Sequence, residues 1–379
     1  MLNFNEKIIF KKFLTDTTYF FLFVSISLSL IVWVVQAVNF LDFVSEDGHS
    51  FKIYFYYTIL NLPKIFNRIL PIIFFISLFY TLTKYEENNE LKIFWLNGIN
   101  KTKFLNVIIK YSILFFVLQI FLSTLIIPIF QSKARMYLKI SSLDFFPSLL
   151  QEKKFIDTVS KLTIFIEKKN SLTDFENIYL KDEISKNQSQ RIYAKKGALN
   201  EKNGTRTLIL YNGKFLNTNN KKTTIFDFDT TEIDLTKYDT KSITHPKIQE
   251  KTTVMLFRCL DYHYNFMKKK IETASLKCGV NIEFFGEIKQ ETFKRIIKPL
   301  YLFVISVIVG FLLINIKENH KYQFIKSYVF LIGMVILIIS EISISYSGKS
   351  NLSGLITSLS PIILFIFLYL NLRNKLFKI

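Results

Sequence analysis

FFLFVSISLSLIVWVVQAVNF, residues 20–40, is a run of 21 residues without one charged side chain. As a helix rising ~1.5 Å per residue it spans about 30 Å, the thickness of a bilayer's hydrocarbon core. Lys7, Lys11 and Lys12 precede it, as in a secretion signal, but the run outlasts the ~7–15 apolar residues of such signals. Gln36-Ala37-Val38-Asn39 also lacks a small-residue cleavage site, so the segment reads as a retained anchor. Working outward, comparable runs fall near 62–83, 105–130, 297–316, 325–345 and 354–372. Three spans, a long polar stretch and three more spans define a polytopic α-helical membrane protein with one inserted domain. The expected divisions are 1–130 for helices one to three, 131–296 for the polar domain and 297–379 for helices four to six.

Composition agrees with a chain that is half membrane: 379 residues, 50% hydrophobic, mean hydropathy +0.27 and net charge +19. The positive excess is spread thinly over the polar and apolar parts, with no basic helix interleaved with stacking aromatics. A nucleic-acid partner is therefore not expected, whereas anionic lipid suits the charge. Cys259 and Cys278 are the two cysteines, and they could pair if the polar domain is extracytoplasmic.

Lysine and arginine placement sets the expected orientation. With the N-terminus inside, the inner segments hold Lys7, Lys11 and Lys12, then Lys84, Lys92, Lys101 and Lys103, then Lys317, Lys321 and Lys326, and finally Arg373, Lys375 and Lys378. The short outer loops hold Lys52 and Lys349. Both termini are thus expected inside and 131–296 outside. That domain reads as β. Leu162-Thr163-Ile164-Phe165-Ile166, Arg191-Ile192-Tyr193-Ala194, Thr207-Leu208-Ile209-Leu210-Tyr211 and Thr223 to Asp229 are rich in β-branched and aromatic residues. Asn203-Gly204 and Asn212-Gly213 predict tight hairpin turns between consecutive strands. Residues 132–150 and about 249–296 read as helical or mixed connections between the sheet and the membrane.

Two segments stand out as functional candidates. Between spans two and three, Asn89 is suited to cap a short helix, Glu90 to its first turn and Gly98 to its stop. Leu91, Phe94 and Trp95 then share one face. Such a helix offers a docking point for a soluble motor subunit; the alternative is an interfacial helix anchored by Trp95. The second segment is span two itself. Ile69 to Leu82 is too short to cross, so the helix must begin near Pro63, which places Lys64 and Arg68 on one face close to its outer end. Lys133 and Arg135 lie just past the outer end of span three. These four cations are candidates for contact with lipid phosphates, against simple snorkelling. Glu341, near the outer end of span five, either pairs with one of them or reaches the interface.

Gly-x-x-x-x-Gly-Lys-[Ser/Thr], His-Glu-x-x-His and Gly-x-Ser-x-Gly are all missing. The chain is expected to be non-catalytic and to need no cofactor or metal. Several local patterns resemble the LptF/LptG permease family of lipopolysaccharide exporters. They are Asn89-Glu90-Leu91-x-x-x-x-Leu96-x-Gly98-Ile99, Ile192-Tyr193-Ala194-x-x-Gly197, Leu208-x-Leu210-x-Asn212-Gly213 and Glu291-Thr292-Phe293-Lys294-Arg295-x-x-x-Pro299-Leu300. Their order extends the resemblance over essentially the whole chain.

The resemblance implies an inner-membrane permease subunit whose periplasmic domain is an all-β, jellyroll-like fold. Its implied partners are an LptB-like ATPase, a sibling permease, an LptC-like bridge protein and lipopolysaccharide. In that family the loop helix docks in a groove of the ATPase, with Glu90 here as the acidic residue and Leu91, Phe94 and Leu96 as its packing neighbours. The first and fifth spans line lateral gates through which lipopolysaccharide enters. The absence of a basic residue in Val38-Asn39-Phe40-Leu41-Asp42, together with the Glu291–Arg295 pattern, is more similar to LptF than to LptG. Other readings are a permease for lipoprotein or peptide export, and an envelope scaffold that moves nothing.

Overall fold

The structure is a computed structural model describing residues 4–41, 51–149, 152–159, 162–171, 173–185, 188–202, 205–219, 222–234, 247–269, 282–315, 317–318 and 321–377. Among the described residues six helices are long and apolar enough to cross a membrane: Glu6–Asn39, Phe51–Glu87, Lys101–Leu138, Phe285–Leu313, Tyr322–Tyr346 and Asn351–Phe377. Each of the six expected spans coincides with one of them, the first and fourth, near 20–40 and 297–316, running slightly past the helix ends at Asn39 and Leu313. The chain forms two compact units, one from Met1–Val35, Asn61–Gln131 and Lys247–Ile379, the other from Gln36–Leu60 and Ser132–Pro246.

The first unit is helical. Its helices are α1 (Phe4–Asn39, whose last turn belongs to the second unit), α3 (Leu62–Glu87), α4 (Glu90–Leu96), α5 (Lys101–Phe121), α7 (Thr253–Lys269), α8 (Ile282–Ile296), α9 (Tyr301–Gly310), α10 (Lys321–Tyr346) and α11 (Asn351–Phe377). The remaining two, α2 (Phe51–Leu60) and α6 (Ile127–Leu149), lie wholly or mostly in the second unit. The centre is α9, entered through the 3-10 turn Lys298–Leu300, where Pro299 takes a position that lacks an intrahelical donor role. Nine of its ten residues are buried, from Tyr301 and Leu302 to Gly310. Gly310 is a close-packing point: a Cβ there would lie 2.5 Å from Leu105 Cδ1 and 3.0 Å from Leu372 Cδ2. Aromatic rings pack in the same buried core, with Phe13 and Phe104 centroids 4.9 Å apart and Phe21 and Phe115 4.6 Å apart. The outer helices invert the soluble pattern. Phe23 on α1, Leu331 on α10 and Phe367 on α11 are 71%, 60% and 64% exposed, as befits side chains whose solvent is lipid. Cys259 on α7 is buried against Leu256 and Ile288 and is disulfide-bonded; Cys278 lies outside the described residues.

The second unit holds a six-stranded sheet: β1 (Phe155–Val159), β2 (Leu162–Lys169), β3 (Asp174–Ser185), β4 (Gln188–Lys202), β5 (Thr205–Asn219) and β6 (Lys222–Asp234). Strands pair antiparallel in chain order. Among the described strands the connections are those of a meander, without a Greek-key crossover. Its buried face carries Leu162, Ile164, Ile166, Phe175, Ile178, Leu180, Ile192, Leu208 and Leu210. Asn203-Gly204 lie outside the described residues, between strands that pair Lys202 with Thr205. The turn expected at Asn212-Gly213 is not a turn. β5 continues through it, and Asn212 takes a left-handed conformation (φ 50°) inside the strand.

That irregularity belongs to a row. Glu167, Asn177, Lys195, Asn212 and Asp229 lie opposite one another on five strands, and the ladder skips each while keeping its register on both sides. Asn177 is also left-handed (φ 51°) and donates from Nδ2 to Glu167 Oε2 at 2.6 Å. One extra residue per strand at the same level reverses which positions face inward. On β3 the buried residues are Phe175 before the row and Ile178 and Leu180 after it. On β4 they are Ile192 and Ala194 before it and Leu199 after it.

Candidate functional site

Two regions of the helical unit gather the residues singled out in the sequence. The first is a polar cavity of about 320 Å³ inside an otherwise apolar bundle. Lys64, Asn67 and Arg68 enter from successive turns of α3, so a four-residue helical spacing puts both cations on one wall. Lys294, Arg295 and Lys298 face them from the end of α8 and the turn after it. Glu291 and Glu341 are the carboxylates, leaving five cations against two acids. Gln131, from the helix that follows a π-helical turn at Leu122–Ile126, completes the lining.

These groups divide into a framework and a free set. Arg295 is 2% exposed and fully engaged. Its Nε donates to Glu291 Oε1 at 3.0 Å, Nη1 to Lys251 O and Thr253 Oγ1 at 3.0 Å each, and Nη2 to Gln249 O at 2.9 Å. Its own carbonyl accepts from Ser123 Oγ at 3.0 Å, across the π-helical turn. Burial lowers the proton affinity of the neighbouring Lys251. Buried Lys298 is ion-paired with Glu341. Glu341 therefore takes a partner, and that partner is a lysine of span four. By contrast, no ion pair of Lys64 or Arg68 forms among the described residues. Asn67 Oδ1 and Gln131 Oε1 are buried in the same cavity without a hydrogen-bond partner. Unengaged cations beside orphaned amides make a site that lacks an anionic, hydrogen-bonding occupant.

Lys133 and Arg135, on α6, belong to the second unit, the former exposed and the latter half-buried. Of the four expected cations, this cavity brings together Lys64 and Arg68. Sequence reading missed Lys294 and Lys298 as lining groups. Their four-residue spacing beside an apolar run is the same signal that flagged Lys64 and Arg68.

The Lys298–Glu341 pair yields a stability prediction. Glu341→Gln leaves a buried ammonium without its counter-charge, and because Glu341 is half exposed the loss is expected at about 1–2 kcal/mol. Thermal unfolding in detergent, with Lys298→Met in the same background, measures it. A midpoint for Glu341→Gln equal to that of the parent would show that the pair adds nothing.

The second region is α4. Asn89 sits before it in a left-handed conformation (φ 60°), and its side chain makes no cap bond, so the expected Asn89 cap is not formed. The C-terminal stop forms as expected. Gly98 has φ 80°, its N–H donates to Trp95 O at 3.0 Å, and Ile99 N–H donates to Phe94 O at 3.1 Å. This is the paired arrangement that a left-handed glycine makes possible. Leu91, Phe94 and Trp95 do share a face, but it turns into the chain's own core: Leu91 and Phe94 are buried, and the Trp95 and Phe104 centroids are 5.7 Å apart. The apolar residues left for a partner are Ile93, 52% exposed, and Leu96, 80% exposed.

The helix is braced on its other sides. Glu90 Oε2 lies 3.5 Å from Lys12 Nζ on α1. Lys92 Nζ donates to Glu318 Oε1 at 2.5 Å, a contact that holds the Glu318 carboxyl below its usual range. Glu86 Oε1 accepts from Lys317 N–H at 2.6 Å, and Lys326 Nζ lies 2.8 Å from Glu87 Oε1. The short helix is thereby tied to α1 and to the loop after span four, while the end of α3 just before it is tied to that loop and to α10.

Residues 11–375 match the family described as lipopolysaccharide export system permease LptF/LptG. An uncharacterized protein of Rickettsia prowazekii (strain Madrid E) is 23% identical over 190 residues, which cover 50% of this chain and 52% of that protein. The chain thus spans about half the length of this curated relative. With six apolar spans, an inserted sheet and a family match from end to end, the chain belongs to the lipopolysaccharide export system permease LptF/LptG family.

Proposed function

We propose that this chain is a non-catalytic permease subunit, of the LptF type, in an ATP-driven exporter of the bacterial inner membrane. Such a subunit takes lipopolysaccharide from the outer leaflet and passes it to a periplasmic bridge, with a sibling permease and an LptC-like protein as partners. Family membership carries the reading. Lysine and arginine placement supports a cytoplasmic α4 and a periplasmic sheet. In this reading α4 meets an LptB-like ATPase through Leu96, Ile93 and the acidic Glu90, while Leu91, Phe94, Trp95 and Gly98 fix its angle. Its tie to α1, and the tie of the preceding α3 terminus to α10, carry ATPase movement to the first and fifth spans. Lys64 and Arg68, with Lys133 and Arg135 nearer the sheet in sequence, are the groups offered to headgroup phosphates.

The test is co-purification with the soluble ATPase. Leu96→Asp alters an exposed side chain and should leave folding intact, yet it is expected to reduce the bound ATPase more than about ten-fold, as is Glu90→Arg. Full retention in both variants would favour an envelope scaffold over a driven transporter.

A further inference from the structure

Between α1 and α5 lies an open groove of about 770 Å³ that the exporter reading leaves unused. Among the described residues its charged lining is Lys7, Lys11 and Lys110, without a carboxylate. Its apolar walls include Leu14, Leu22 and Leu114. Cross-contacts fix the relative height of the two helices. Glu6 Oε1 meets Lys103 Nζ at 3.1 Å, and Thr18 Oγ1 lies 2.7 Å from Tyr111 Oη. Lys110 is therefore level with Thr17, roughly 13 Å along α5 from Lys101 and just where the apolar run of α1 begins. Lys7 and Lys11 lie above that level, Leu22 and Leu114 below it. All three lysines are exposed, and none makes an ion pair or hydrogen bond among the described residues.

We propose that this groove binds an anionic phospholipid, with its phosphate held by Lys7, Lys11 and Lys110 and its acyl chains lying along Leu14, Leu22 and Leu114. The order of charge above and hydrocarbon below is that of a phospholipid entering from the end where α1 begins. Lys110, at the edge of the hydrocarbon zone, needs a counter-charge or a route to water. A docked protein segment would have to bring its own acids to three clustered lysines. A phosphate diester brings the charge and the chains together. The proposal is independent of what the permease carries.

The full chain, reconstituted in mixed phosphatidylcholine–phosphatidylglycerol vesicles with one or the other lipid brominated, tests it. Leu114→Trp in a Trp33→Phe/Trp95→Phe background reports from inside the groove, and Ile363→Trp reports from an exposed position on α11. Each lysine at an anionic lipid surface is worth roughly five-fold in affinity. The groove reporter should therefore favour phosphatidylglycerol several-fold, while the α11 reporter shows no preference. Lys7→Gln/Lys11→Gln/Lys110→Gln should bring the groove ratio to about one, and the three Lys→Arg replacements should keep it. An equal ratio in the parent, or a preference untouched by the glutamines, would overturn the proposal. So would absence of quenching by either lipid, which would mean that polypeptide covers the groove.

Discussion

Arg295→Met should cost about 3–5 kcal/mol, the largest loss expected from a polar substitution in this chain. The guanidinium is 2% exposed and donates to Glu291, Thr253 and two main-chain carbonyls, Gln249 O and Lys251 O. Methionine fills the volume but leaves a part-buried carboxylate and two carbonyls without donors. Arg295→Lys keeps the charge without the planar fork, so it should recover part of the loss only. Thermal unfolding of the detergent-solubilised chain measures the cost. Hydrogen exchange over residues 247–253 reports whether this segment is released. A parental midpoint with unchanged exchange in Arg295→Met would refute the clamp.

Gly213→Val should be nearly as damaging, by about 3 kcal/mol, the upper end for overpacking. A Cβ at Gly213 would lie 2.2 Å from Tyr193 O and 2.4 Å from Phe228 Cζ. The ring is the far end of a side chain, but the carbonyl belongs to β4 and cannot yield without opening the ladder, in which Ala194 faces Gly213. Faster exchange of the β4 and β5 amides in the intact chain is the expected signature. Unaltered exchange in Gly213→Val would show that the close approach is not needed.

The spans were legible because hydrophobic length needs no knowledge of neighbours: residues 20–40 announce a crossing wherever they pack. The sheet was legible in kind but not in detail. Asn212-Gly213 carries the residue types of a hairpin turn, and only the long-range pairing of β5 with β4 and β6 keeps the strand extended there. Alternation was equally misleading, since the inward parity changes within β3, β4 and β5 and cuts each into two apparent short strands.

The site followed the same division. Lys64 and Arg68 were visible because they interrupt an apolar run on one helix face. Arg295 was quoted with Glu291 as part of a family pattern, yet three of its four acceptors come from residues 249–253, more than 40 positions earlier, which no local pattern reveals. On α4 the spacing of Leu91, Phe94 and Trp95 identified an apolar face. It could not tell whether that face points to a partner or home to Phe104. The exposed pair Ile93 and Leu96 is offset from it by geometry that only the fold supplies.

The row through Glu167, Asn177, Lys195, Asn212 and Asp229 acts like aligned teeth. A strand displaced by one position would set a tooth against a regular neighbour, so seating is unique even where tips are polar and alternation is weak. Among the described strands β6 is an edge, and it presents its notch at Asp229. Any foreign strand extending the sheet there would need a matching surplus residue, a key that an arbitrary sticky segment lacks.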